Sequence, residues 1–182
     1  MAISRLARFH AVSFAMRNEK DLDMVTAYPF LSEDPVYRPD TKELFLKTQA
    51  NIVTRLLNIF QQESSAEFKE ISGLFLNAVR NLHSLQSDFV RPSPGFGVLC
   101  HGDLWRQNVL YFYGSSLECQ TDCLDVKFED LHRVRFASCV TDILYFLFTT
   151  VDYDVRRDHM MDFLGVYHDH FSKVGLNFEA KA

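Results

Sequence analysis

Polar and apolar positions alternate at helical spacing from the first residues. Ile3, Leu6, Ala7, His10, Ala11 and Phe14 recur at intervals of three and four, which predicts an amphipathic helix from Ile3 to about Lys20. His10 lies on the apolar face and is read as a packed, hydrogen-bonded core histidine. Asp21 to Asp40 break the pattern with Pro29, Pro35 and Pro39 and read as a surface loop. Thr41 then offers a capping hydroxyl ahead of Phe45, Ile52, Leu56, Ile59 and Phe60, which mark one helix face. Ser64 or Ser65 opens another helix. Its apolar stripe runs Phe68, Ile71, Phe75, Ala78, Leu82, Leu85, and it is expected to end near Ser87.

The period changes after a loop from Asp88 to Gly97, which holds Pro92, Pro94, Gly95 and Gly97. Val98 to Cys100 and Val109 to Phe112 are short apolar runs that read as strands. A polar connection from Tyr113 to Leu124, with Gly114, Ser115 and Ser116, predicts a hairpin returning through Asp125 to Glu129. Leu131 to Cys139 reads as a loop carrying Arg133 and Arg135. Val140 to Thr150 reads as a buried helix, apolar nearly all round. Tyr153 to Val174 reads as a final amphipathic helix along Phe163, Val166, Tyr167, His170 and Phe171, with Gly175 as its stop. The elements together predict a mostly helical α+β chain.

Composition narrows this picture. With 182 residues, 47% hydrophobic and 17 phenylalanines, the chain suits one domain or a large piece of one. A net charge of -5 and a pI near 5.8 give no basic field for nucleic acid. No apolar run has the length of a membrane span, so no membrane partner is expected. Cys100, Cys119, Cys123 and Cys139 show neither a C-x-x-C pair nor a histidine at finger spacing, and read as reduced thiols of a cytoplasmic protein. Cys119 and Cys123 could meet across a turn. Arg5, Arg8 and Arg17 without an acidic residue through Asn18 give a presequence-like composition, but the segment is read as a core helix.

The chemistry gathers in Val98-Leu-Cys-His-Gly-Asp-Leu-Trp-Arg-Gln-Asn-Val-Leu-Tyr111, where apolar runs flank a polar H-G-D-x-x-x-x-N loop. Phosphoryl transfer needs a carboxylate at the attacking hydroxyl and oxygen ligands for the Mg²⁺ that accompanies ATP. Asp103 suits the first role. Asn108 and Asp130, the latter ending Val126-Lys-Phe-Glu-Asp130, suit the second, because Mg²⁺ prefers hard oxygen donors. Gly102 lets the loop turn where a side chain would obstruct it. Asp and Asn are also ordinary turn residues, so H-G-D alone is a weak signal. The constellation gains weight from the hairpin and from Asp142 at the start of an apolar helix.

These segments resemble the aminoglycoside phosphotransferase and choline kinase superfamily. His101-Gly-Asp-Leu-Trp105, Val126-Lys-Phe-Glu-Asp130 and Thr141-Asp-Ile-Leu-Tyr-Phe-Leu-Phe148 are similar, more narrowly, to the ecdysteroid-kinase-like (CHK kinase-like) family. Leu6-Ala-Arg-Phe-His-Ala11 resembles that family's helix ahead of the catalytic loop. The resemblance is strong from Val98 to Thr150 and looser elsewhere. It implies the C-terminal lobe of a protein-kinase-like fold, with Asp103 as catalytic base and Asn108 and Asp130 as Mg²⁺ ligands. It also implies that His101 and Asp142 brace the loop, and that Trp105 either packs near the substrate side or takes part in recognising the substrate. ATP and a small-molecule hydroxyl are the implied substrates, with an ecdysteroid-like alcohol as a candidate acceptor. Two departures stand out: Leu131-His132 replace the family's usual Phe-Gln, and Ala137-Ser138-Cys139 replace its Gly-Ser-Pro.

A kinase-like fold also needs a glycine-rich loop over the phosphates and a strand lysine. None of the seven glycines precedes Gly73. Residues 1–182 are therefore expected to form a partial domain that lacks the N-terminal lobe, with its catalytic and metal-binding core at 98–150. The expectation is a fragment of a full kinase with weak nucleotide affinity alone. A second hypothesis, from another class, is a non-catalytic pseudokinase-like interaction protein that self-associates through apolar surface where the other lobe would pack.

Overall fold

A computed structural model describes residues 1–34, 36, 38–62, 65–93, 95–114 and 123–179. Pro35, Ser64, Pro94, Ser115, Ser116, Cys119 and Ala182 lie outside them. The described residues form α1 (Ala2–Glu19), α2 (Met24–Ala27), α3 (Lys42–Gln61), α4 (Ala66–Arg80) and α5 (Leu82–Phe89). They continue through β1 (Gly97–Cys100), β2 (Val109–Tyr113), β3 (Cys123–Phe128), β4 (Arg135–Ser138), α6 (Val140–Thr150) and α7 (Tyr153–Glu179). The class is α+β, mostly helical with small antiparallel strand pairs. No helix among the described residues is long and apolar enough to cross a membrane.

The chain divides into two compact units, Asp34–Val90 and the rest. In the larger unit, α1 packs against α7 and β1. Its core joins Ile3, Leu6 and Ala7 of α1 to Val98, Leu104, Val126, Ile143 and Leu147. Leu6, Leu104 and Leu147 are fully buried, and truncating such a leucine typically costs about 2–5 kcal/mol. A polar stitch supplements this packing. Ser13 of α1 donates to His10 O at 2.8 Å and accepts from Leu99 N at 2.8 Å, which satisfies a β1 amide from the helix side.

The predicted hairpin forms. β2 and β3 pair antiparallel with Val109 opposite Phe128 and Tyr111 opposite Val126, and a register shift falls between Phe112 and Tyr113. A second pair departs from expectation: β4 lies within the stretch read as a loop and pairs antiparallel with β1, Val98 opposite Ala137 and Cys100 opposite Arg135. A charged residue in a four-residue strand hides it from a hydrophobicity reading. Arg135 is buried, and its Nη1 donates to Gly102 O at 3.1 Å.

Other boundaries also shift. The Asp21–Asp40 loop contains α2, capped by the Asp23 side chain on the amides of Val25 and Thr26, and a 3₁₀ turn at Pro29–Ser32. α6 is apolar in sequence but two-faced in space, with Ile143, Phe146 and Leu147 buried and Tyr145 and Phe148 exposed. α7 continues through Gly175 to Glu179.

In the smaller unit, Thr41 directly precedes α3. Its hydroxyl donates to the carbonyls of Val36 and Arg38, at 2.6 and 2.9 Å, within a 3₁₀ turn that runs into the helix. Ser65 does cap α4, accepting from Phe68 N at 3.2 Å. The single helix expected from there to Ser87 is two, broken at Asn81, whose side-chain amide bonds Asn77 O at 3.2 Å. Such competition for backbone carbonyls is how asparagine interrupts helices. His83 of α5 is buried and meets Phe45 of α3 edge-on at 5.5 Å.

Candidate functional site

The loop between β1 and β2 is held at its backbone before its side chains are placed. Asp142, in the first turn of α6, accepts from His101 N at 2.6 Å and Gly102 N at 3.0 Å. A carboxylate at a helix N-terminus is favourably placed against the helix dipole. His10 Nε2 lies 3.1 Å from the same carboxylate, and His10 Nδ1 lies 2.8 Å from the Tyr167 hydroxyl. All four side chains of this chain of contacts, Tyr167, His10, Asp142 and His101, are buried. Burial alone would raise the Asp142 pKa. The hydrogen bond and charge of His10 and the two loop amides outweigh it and hold the group below the usual carboxylate value. Burial pushes the Tyr167 phenol well up, so it stays a donor.

Cys100 adjoins this network, and its Sγ lies with ligand atoms of His10 and Asp142 within 4.8 Å. Its thiol donates to Ser138 O at 3.4 Å, and burial keeps it neutral by raising its pKa well above the ordinary value. A neutral thiol and a carboxylate committed to amides make a hydrogen-bonded core rather than a ready set of metal donors.

His101 ties the loop to the next functional position. Its Nδ1 accepts from Asp103 N at 3.3 Å, so the Nε2 hydrogen is free to donate to Glu129 O at 2.8 Å. Glu129 N in turn donates to Asn108 O at 3.0 Å. Asn108 and Asp130 are thereby brought to the same end of the β2–β3 hairpin. The turn at Gly102 has φ +85°, and an added Cβ would lie 1.9 Å from Arg133 O. A glycine is required there on both counts.

The remaining side chains follow from this frame. Asn108 is buried, and its amide nitrogen bonds Asp103 O at 2.8 Å and Asp103 Oδ2 at 3.3 Å. That leaves its Oδ1 as the atom available to a cation. Asp130 adopts φ +63°, a left-handed conformation that aspartate tolerates better than most residues. Its carboxylate is exposed and meets His132 Nδ1 at 2.5 Å. Asp103 Oδ1 accepts from the Tyr145 hydroxyl at 3.1 Å and lies 3.5 Å from Arg133 Nη1. Trp105 is half-buried, its amide bonded to Asp103 O at 3.1 Å.

The sequence profile of the Ecdysteroid kinase-like family matches residues 1–177. The chain belongs to the ecdysteroid kinase-like family. No curated protein and no solved structure matches it significantly. Membership carries the general character of a kinase-like phosphotransferase. In the ecdysteroid kinase-like chain, His132 is the residue that contacts Asp130. Tyr145, Arg133 and Tyr167 also stand in the site, and the sequence patterns assign them no functional role. One usable signal was the position of Tyr145 three residues after Asp142, since side chains three apart on a helix are neighbours.

Proposed function

We propose that this chain carries the catalytic loop of an ATP-dependent small-molecule kinase that phosphorylates an alcohol, with ecdysteroid-like alcohols as the first acceptors to test. The observation that carries the reading is the single frame in which His101 links Asp103 to the strand end bearing Asp130 while Asn108 contacts both sides. Asp103 is the proposed base. The acceptor oxygen bonds to the γ-phosphorus, the bond from that phosphorus to the β,γ-bridging oxygen breaks, and ADP leaves with the electron pair. The acceptor proton passes to Asp103. His101 and Asp142 hold the loop amides in place.

Asn108 and Asp130 fit Mg²⁺ by the chemistry of their donors. One offers a carboxamide oxygen left over after its nitrogen is committed, the other an exposed carboxylate. Bound there, Mg²⁺ would neutralise phosphate charge. The test is incubation of the purified chain with Mg²⁺, γ-labelled ATP and a panel of sterol and other small alcohols, with product identified by mass spectrometry. Label should pass to an alcohol, and Asp103→Asn should abolish the transfer. Mg²⁺-ATP binding without transfer to any alcohol would instead favour a non-catalytic interaction protein.

A further inference from the structure

We propose that Tyr145 is a positioning residue for Asp103, its phenol fixing the Oδ1 oxygen so that Oδ2 is presented to the acceptor hydroxyl. This role rests on the phosphotransferase reading above for what Asp103 does. How Asp103 is held comes from the geometry. The terminal torsion of an aspartate is broad and nearly two-fold, so a carboxylate on a loop has no intrinsic preference for one oxygen forward. Here the two oxygens differ. Oδ1 takes the Tyr145 hydroxyl at 3.1 Å, with Arg133 Nη1 at 3.5 Å, while Oδ2 has the Asn108 amide at 3.3 Å.

Tyr145 suits this task by its place in the fold. It stands one turn after Asp142, which holds the amides of His101 and Gly102. One helix, α6, thus grips the loop through its backbone and through the working side chain. Asp103 has a side-chain exposure of 17% and Tyr145 is 40% exposed, so the pair lies where an acceptor can reach it. A phenylalanine would keep the ring and lose only the hydroxyl. The hydroxyl is what Tyr145 adds to the holds on Asp103, beside Arg133 at Oδ1 and Asn108 at Oδ2. Misplacing a reacting group by about 1 Å can cost roughly a hundredfold in rate. Loss of one of several holds should cost less.

The test is Tyr145→Phe in the full chain, assayed with Mg²⁺-ATP and the alcohol found above. kcat should fall about tenfold while KM for ATP and alcohol stay within about twofold. Tyr145→Phe should lower the urea midpoint less in the Asp103→Ala background than in wild type, because the bond between the two is already gone. An unchanged kcat, or a loss that moves kcat and both KM values together with the stability, overturns the proposal. So does an additive effect of the two substitutions on the urea midpoint. If the wild-type chain phosphorylates no alcohol, the kinase reading fails by itself. The urea cycle then still decides whether Tyr145 holds Asp103: non-additivity supports the hold and additivity overturns it.

Discussion

His101 Nε2 lies 2.8 Å from Glu129 O, which fixes the loop bearing Asp103 to the strand end bearing Asp130. His101→Ala removes this donor, a fully buried side chain, and leaves the part-buried Glu129 carbonyl without its partner. The expected loss is about 1–3 kcal/mol, read from urea denaturation. His101→Gln, which can still donate, should recover part of it. A loss within about 0.5 kcal/mol, the range of an ordinary surface change, would show that the bond does not secure the loop.

Asp142 gives a pH prediction with a definite sign. Its folded pKa lies below the ordinary value, because His10 and the amides of Gly102 and His101 outweigh burial. A depressed folded pKa contributes stability above the unfolded value, about 3.9, and loses it as pH falls through the folded value. Asp142→Asn should cost about 3 kcal/mol or more near neutrality, since it breaks a buried charged network. The gap between wild type and variant should then narrow as pH falls below about 4. Urea midpoints of both proteins at several pH values measure it. A gap that stays constant down to acid pH would mean that Asp142 is not the titrating group.

What the sequence revealed and what it hid follow from range. Asp103 and Asn108 are legible because their relation is written within eight consecutive residues, His101 to Asn108, and apolar runs bracket them. His10 reads as a hydrogen-bonded core histidine from its place on a helix face. Its partners, 132 and 157 residues away, leave no periodic trace. β4 is hidden because Arg135 breaks the apolar pattern, and the fold tolerates that arginine by hydrogen-bonding it to Gly102 O. The break at Asn81 is hidden because Leu82 and Leu85 continue the helical spacing across it. Gly175 does not end α7, because a glycine in a helix costs only about 1 kcal/mol, which neighbouring turns can offset.

Gly102→Ala tests the turn itself. The residue sits at φ +85°, and a Cβ would collide with Arg133 O. Backbone strain alone is worth about 1–3 kcal/mol, and the collision adds to it. A melting temperature lower by roughly 4–8 °C is expected for a loss of about 2 kcal/mol in a chain of this size. Because Arg133 also faces Asp103, the substitution should lower phosphotransfer as well. A variant that melts and turns over like wild type would show that the loop can relax away from this turn.

Asp130 combines a left-handed backbone with an exposed carboxylate, and the two properties can be separated by choice of substitution. Asn tolerates φ +63° nearly as well as Asp, so Asp130→Asn removes the charge with little strain. Ala does not, and the left-handed conformation costs such a residue about 1–2 kcal/mol. Asp130→Asn should therefore keep its urea midpoint and lose Mg²⁺-dependent ATP binding in calorimetry. Asp130→Ala should lose both binding and stability. Mg²⁺-ATP binding by Asp130→Asn at wild-type strength would remove Asp130 from the proposed metal site, because a neutral carboxamide cannot replace the carboxylate as principal ligand to a hard divalent cation.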